Sequence, residues 1–523
     1  MRSNGQRTAW EEAFHKPPFT HPPDWLCYTI RMSHIARSSL IVAMFFGVDK
    51  ILGLLRQVLF NRMFDTAQRD VFFVSNNIPD LLSALISGGA LGIALIPVLS
   101  GFLERDGRQA AWDLFSRIAN LAFLVTAGVA AVIILLADPL VRYVIAPGFN
   151  DPAKWALTTS LMRLDLLAIL VFSISGLVMA GLQANQHFLL PAMAPAFYNM
   201  GQIFGITVLG PRLGIYGLAY GVILGALLHL GIQIPGLLRF GFRWAPAINL
   251  RHPGVQQVLR LMGPRVLNML CLQTYFLARD RLASFFEVGA VSALNNGWFI
   301  QQVPETLIGT AIAIALLPSL SELFARGNRD GFKQTINRSL RVMLALTLPI
   351  AALLAVSIRP LVQIAFAFEA RETELVVWAT RAFLLGLMGH TWLEVGVRSF
   401  YAQQNARTPL LAAFLQVTAY LILAVALSRT VGHTGLALAD TISFTGQALL
   451  LLYLLNRSYP GVLAVGGTLA RASLGALLGG GLAFAVLTWV PLPLLPLSLA
   501  ALAAGGLVVL PFIWAEVKLL VRL

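Results

Sequence analysis

Ionisable side chains stand inside segments that are otherwise apolar, and any chemistry of the chain would lie with them. The stretch "FFGVDKILGLLRQVLF" (45–60) holds Asp49, Lys50 and Arg56, and "ARDRLASFF" (278–286) holds Arg279, Asp280 and Arg281 in a row. A charge at mid-bilayer costs about 2.5–3.5 kcal/mol on insertion scales and marks function by default. Lys50, Gly53 and Arg56 recur every third residue and share roughly one helix face. That face is expected to look into a polar cavity. The structural alternative is an Asp49–Lys50 environment that neutralises itself, with Arg56 snorkelling to the interface. Consecutive helical residues point about 100° apart, so Arg279, Asp280 and Arg281 cannot all line one cavity. The expected arrangement pairs Asp280 within its own half and turns Arg279 or Arg281 to the centre as a ligand-facing cation.

Other charges have weaker claims. Asp80 follows Pro79 and Glu305 follows Pro304, and carbonyls freed by proline accompany gating in membrane helices. His229, His390, Glu394, Arg398 and Asp440 read as internal pairing groups more readily than as ligands. The run "ADTISFTGQ" (439–447) could offer oxygens to a cation. There is no Walker loop, no HExxH and no GxSxG in a strand–turn–helix setting. The chain reads as a non-enzyme with no cofactor and no metal site.

The elements that must position these residues are membrane helices. Only 12% of the 523 residues are charged and 57% are hydrophobic, with a mean hydropathy of +0.75, against about 25% charged in soluble proteins. Residues 118–137 and 410–428 contain no Asp, Glu, Lys, Arg or His, and 472–515 is a run long enough for two spans around the turn "VPLPLLP" (490–496). The same reading along the chain predicts an all-α polytopic membrane protein of about fourteen helices, near 34–60, 70–99, 112–137, 155–183, 190–210, 214–238, 256–286, 291–320, 333–358, 376–402, 409–428, 434–455, 466–489 and 495–520.

Two sentences of the sequence are written twice. "LIPVLSGFLERDGR" (95–108) returns as "LLPSLSELFARGNR" (316–329), and "GIYGLA" (214–219) returns as "GHTGLA" (432–437). Pro191 and Pro409 share the offset of the second pair, 218 (432 − 214). Each copy holds six helices, an even number, so both enter the membrane the same way up, as two lobes with a site between them. The expected organisation is an extension over 1–33, a first lobe over 34–240, a second over 241–456, and two appended helices over 457–523. Arginines crowd one set of connections (Arg105, Arg108, Arg117, Arg239, Arg243, Arg326, Arg329), so that set and both termini should be cytoplasmic. The net charge of +14 is then mostly a topology signal and not a nucleic-acid patch, since no concentrated basic cluster exists. Two cysteines, Cys27 and Cys271, allow no disulfide framework.

With the motifs in hand, "LGLLRQVLFNRMF…RDVFFVSNNIPDLLSALISGGALGIALIPVLS" resembles the opening of the MurJ/MviN family of lipid II flippases in the oligosaccharidyl-lipid exporter superfamily. "APGF" (146–149), "LLPAMAPAFYN" (189–199), "LMGPRVL" (261–267), "DRLASFFEVGAVSALN" (280–295), "ALLPSLS" (315–321) and "SFYAQQNARTP" (399–409) continue the likeness in order. The resemblance implies a multi-pass protein of the bacterial inner membrane. Two lobes would close alternately to carry undecaprenyl-diphosphate-linked peptidoglycan precursor to the outer leaflet, with cell-wall synthesis proteins as candidate partners. It matches Arg56 to a cavity arginine, Lys50 to a position usually arginine, Asp70 to the Asp that opens the second helix, and Asp280–Arg281 to a seventh-helix pair. It also exposes departures. Ser83 and Ala84 stand where the family has arginines, Gly88 where it has Glu, and Phe299 where it has another central arginine. The alternatives left open are a flippase for another polyprenyl-diphosphate glycan (an O-antigen or exopolysaccharide unit), a drug/cation antiporter of the same superfamily, and a non-transporting cell-wall scaffold. The cluster of cations argues against the antiporter.

Overall fold

The computed structural model describes residues 34–86 and 90–520. The predicted extension over 1–33, Cys27 and Gly88 lie outside the described residues. The described chain folds into helical rods only: α1 (His34–Met63), α2 (Thr66–Ile86, taken up again over Ala90–Arg105), α3 (Gly107–Leu135), α4 (Pro152–Ala184), α5 (Leu189–Phe204, running on to Leu213), α6 (Ile215–Arg239), α7 (Pro253–Ala283), α8 (Ala290–Ala325), α9 (Arg329–Phe366), α10 (Ala370–Leu385 and Leu387–Ala402), α11 (Arg407–Val431), α12 (His433–Ser458), α13 (Gly466–Trp489) and α14 (Leu494–Leu520). Nine helices among the described residues are long and apolar enough to cross a membrane, including α8 as a whole.

The repeated sentences adopt the same backbone. Gly214 and Gly432 cap α6 and α12 with φ/ψ of 59°/−142° and 67°/−147°, which only glycine adopts without strain. Gln186 and Gln404, ahead of α5 and α11, both have φ of 58°. The Asn120 amide donates to the carbonyls of Ala245 and Ala247, and Asn337 does the same to Val462 and Ala464. A loop after the sixth helix of each half is thereby tied to that half's third helix.

Packing inside the first half relies on small residues. A Cβ on Gly205 would lie 2.5 Å from Gly221 Cα and 2.7 Å from Gly217 O, so α5 and α6 touch backbone to backbone. In the second half, Glu516 of α14 accepts from Arg341 of α9 (2.9 Å) and from Thr468 and Arg471 of α13 (2.8 and 2.6 Å). The appended pair is thus anchored on α9, with an apolar seam of Leu353, Ala483, Ala501 and Val509 beneath it. Helix α7 belongs to both halves: Val255 and Val258 are buried with Leu91, Trp112 and Leu177 of the first, and Tyr275 with Phe383 and Tyr420 of the second.

Candidate functional site

Between the halves lie two contiguous cavities, of about 480 and 680 Å³, which share Arg56, Gln57, Phe73, Tyr198 and Asn295 on their walls. Helix α1 supplies Asp49, Lys50 and Arg56, α2 supplies Asp80, and α7 supplies Arg279 and Asp280. The apolar context of α1 forces this outcome. Its charged face needs water, and the gap between the halves is the watered place it can reach.

Arg56 is half-buried and donates one long hydrogen bond, 3.4 Å, to Gln202 Oε1. It does not snorkel to an interface. Lys50 is exposed to the larger cavity and has no ion-pair or hydrogen-bond partner among the described residues. Its neighbour Asp49 accepts from Asn199 Nδ2 at 2.9 Å instead of pairing with it. Arg279 is 1% exposed and bonds to Asp280 Oδ1 (3.0 Å) and Asn295 Oδ1 (2.6 Å), over the Phe276 ring. Its remaining nitrogen, Nη1, has no partner. Of the two arginines that flank Asp280, Arg279 therefore reaches the cavity. Arg281 is not in the cavity wall: its guanidinium turns outward and donates to the carbonyls of Tyr143 and Val144. The 100° step between neighbours explains the division.

The wall holds three cations and three carboxylates, so its formal charge balances. What a ligand would find uncommitted is the Lys50 ammonium and most of the Arg56 guanidinium; Arg279 Nη1 lacks a partner but is buried. Ser83 and Ala84 line the smaller cavity and Phe299 the larger one. These three departures thus fall on the walls themselves and leave a less cationic interior.

Glu305 does not line these cavities. It is 6% exposed, accepts from Thr310 Oγ1 (3.2 Å) and Thr306 Oγ1 (3.4 Å), and sits in a widened turn of α8 after Pro304. Asp80 lies on the smaller cavity with its carbonyl accepting from Gln273. The internal groups that the sequence marks as pairing do pair locally: His390 with Asp440 at 3.0 Å, Arg398 with Glu394, and His229 with Ser175 at 2.6 Å. Among the described residues, no group of three or more His, Cys, Asp or Glu is placed to hold a metal ion.

One end of the cavity is shut. Asp70 accepts from the backbone N–H of Gly289 (2.6 Å) and of Ser292 (2.7 Å), capping α8 from the other half. Arg69 bonds Glu372 at 2.8 Å and stacks on Phe368 at 4.4 Å. Arg62 donates to the carbonyls of Ala365 (2.8 Å) and Ile364 (2.5 Å), while Gln57 and Asn61 clasp Asn296 at 2.9 and 2.7 Å. At the arginine-rich end the 241–250 connection is tied to α3 through Asn120, and among the described residues no hydrogen bond or ion pair joins helices α1–α6 to helices α7–α12 there. Sequence reasoning identified Asp70 through the resemblance but missed Gln57, Asn61, Asn296 and Glu372. A polar residue about one and a half turns beyond the cavity cation Arg56 was the one local signal for Asn61.

Comparison with known proteins agrees with this geometry. The profile of the family described as "Lipid II flippase MurJ" matches residues 60–501. The "Lipid II flippase MurJ" of Burkholderia cenocepacia is 29% identical over 434 residues, 80% of this chain and 83% of that protein. The "Probable lipid II flippase MurJ" of Vibrio cholerae is 28% identical over 432 residues, 80% and 82% of the two chains. Among solved structures, "Lipid II flippase MurJ, inward closed conformation" superposes with a TM-score of 0.80 at 22% identity, covering 92% of this chain and all of that one. A multidrug resistance MATE family transporter in an inward-facing conformation shares the fold at a TM-score of 0.66 and 12% identity, covering 79% of this chain and 95% of that one. With its profile match spanning most of the length and its paired lobes around a cation-lined cavity, the chain belongs to the lipid II flippase MurJ family.

Proposed function

We propose that the chain flips lipid II, the undecaprenyl-diphosphate-linked peptidoglycan precursor, from the cytoplasmic to the outer leaflet by alternating access. The observation that carries this reading is a cavity between two lobes, shut at one end, with uncommitted donors on Arg56 and Lys50 and the buried Arg279 behind its wall. A diphosphate carries charge that must keep hydrogen-bond donors as it leaves water. Arg56 can offer two parallel N–H groups to it, and Lys50 a mobile point charge. Ser83, Ala84 and Phe299 stand on the walls where the family places further charge, so Arg56 and Lys50 take a larger share of the load here. Arg281 and Asp70 act at the shut end, the first against the 143–144 carbonyls and the second as the clasp between lobes.

With the arginine-rich connections taken as cytoplasmic, the clasp of Asp70, Arg69 and Asn61 lies at the outer face. The lobes run over 34–240 and 241–456 with α13 and α14 appended, and contact with cell-wall synthesis proteins would fall on surfaces away from the cavity. Two experiments test the reading. Reporter fusions after Arg108 and after Arg329 should both report cytoplasm; opposite sides would remove the basis for the orientation. The chain should also rescue growth of a bacterium depleted of its own lipid II flippase. Failure of well-expressed, correctly inserted protein, with rescue of an O-antigen flippase mutant, would assign the cargo to another polyprenyl-diphosphate glycan.

A further inference from the structure

A third cavity, of about 240 Å³, opens inside the first lobe between α2, α4, α5 and α6. It shares Asn76, Asp80, Ser83 and Tyr198 with the central cavity. Asp165 of α4 lines it, is 1% exposed, and has no hydrogen-bond partner for either carboxylate oxygen. Among the described residues the Ser75 hydroxyl is the one side-chain donor beside it, and that hydroxyl donates to Phe72 O at 2.9 Å.

Among the described residues, no cation reaches this carboxylate. From α2 it faces Asp80, from α5 Tyr198 and from α6 His229, whose Nδ1 is engaged by Ser175. On α4 itself, Arg163 turns away to Ile134 O, and on α3 Asp113 and Arg117 pair with each other. Arg56 and Asp280 address Asp80 from the central cavity, not Asp165. A buried carboxylate with no counter-charge, whose one neighbouring donor is the Ser75 hydroxyl already engaged by a carbonyl, is strongly disfavoured as an anion. Among the described residues, no cluster of three or more candidate metal ligands is available to neutralise it. A proton needs no such cluster.

We infer that Asp165 is a proton-binding site whose occupancy biases the opening of the shut end. Asp80, which lines both cavities, links Asp165 to water in the central one. Losing the proton places two like charges, Asp165 and Asp80, in one cavity between α4 and α2. Helix α2 also carries Arg69 and Asp70, the residues that hold the lobes together. Repulsion across α2 and α4 therefore acts on the helix that makes the clasp. Neither the site nor its test depends on which cargo is carried.

The test uses the full chain in nanodiscs without lipid substrate, with Cys27 and Cys271 replaced by Ser and spin labels at the exposed positions Met63 and Glu369 on either side of the clasp. Wild-type protein should shift from the short to the long distance as pH rises, by up to about tenfold in population ratio per pH unit for one linked proton. Asp165→Asn should hold the short distance at all pH values, and Asp165→Glu should restore the dependence. Infrared difference spectra of the wild type should show a neutral carboxyl band that Asp165→Asn removes and Asp280→Asn keeps. The proposal fails if Asp165→Asn retains the wild-type pH dependence, or if the wild type has neither the dependence nor the band. It also fails if the shift follows sodium at constant pH. Where Asp165→Asn does not fold, Asp165→Glu decides the matter: it should move the band to a different frequency, and an unmoved band overturns the assignment.

Discussion

Asp70→Ala should open the shut end without unfolding the lobes. The carboxylate accepts two backbone N–H groups at the start of α8, Gly289 at 2.6 Å and Ser292 at 2.7 Å, and is 2% exposed. When the lobes part, those N–H groups meet water; when the lobes meet, only Asp70 satisfies them. Charge-assisted hydrogen bonds of this kind are worth about 1.5–3 kcal/mol each, and an N-cap about 0.5–2 kcal/mol. Because the cap and the bonds are the same atoms, we take about 2–4 kcal/mol for the pair. That moves the closed-to-open ratio by roughly 30- to 700-fold. Arg69–Glu372 and the Asn61–Asn296 clasp remain, so the shift should be large but incomplete. Asp70→Asn, which keeps one acceptor, should move it by about half as much in free energy. Distances between spin labels at Met63 and Glu369 report the ratio directly, and thermal melting of the same samples reports the lobes. An unchanged distance distribution in well-folded Asp70→Ala protein would refute the assignment of Asp70 as the clasp.

Gly205→Ala should cost about 1–3 kcal/mol through collision with α6, seen as a lower melting temperature. Gly128→Ala, with nothing within 4 Å of the new Cβ, should be neutral or slightly stabilising by the same measurement. Glu516→Ala leaves Arg341, Arg471 and Thr468 without their shared acceptor. It should cost about 1–3 kcal/mol and raise protease susceptibility in the 457–523 segment while the clasp distance stays as in wild type. Arg281→Ala, by contrast, should weaken the packing of residues 140–145 against α7 and leave transport per folded molecule near the wild-type level.

The rods were legible because a membrane offers few solutions. The span expected over 256–286 appears as Pro253–Ala283, and the one expected over 291–320 as Ala290–Ala325. The turn glycines were legible for a local reason: Gly214 and Gly432 sit in matched words of the sequence and both need positive φ. Arg56 could be read because an arginine in an apolar helix has few places to go. Arg279 and Arg281 could not be told apart from sequence, since the choice depends on the rotation of α7 against both lobes. The Asn61–Asn296 clasp joins positions in different halves, and no local pattern records such a pairing. Asp165 was missed although the signal was present. "MRLDLLAIL" puts a carboxylate in an apolar span, and only the structure shows that it lacks a partner.

The central claim is that donors on the cavity wall carry a lipid diphosphate across, with Arg56 foremost. The direct measurement is flipping of lipid II by the full chain in proteoliposomes, followed by protection of the headgroup from an added modifying enzyme and divided by the amount of folded protein. Wild-type protein should flip, Arg56→Ala should lose transport while keeping its membrane level and melting temperature, and Arg56→Lys should recover part of it. Transport per folded molecule that stays near wild type in Arg56→Ala would contradict the account.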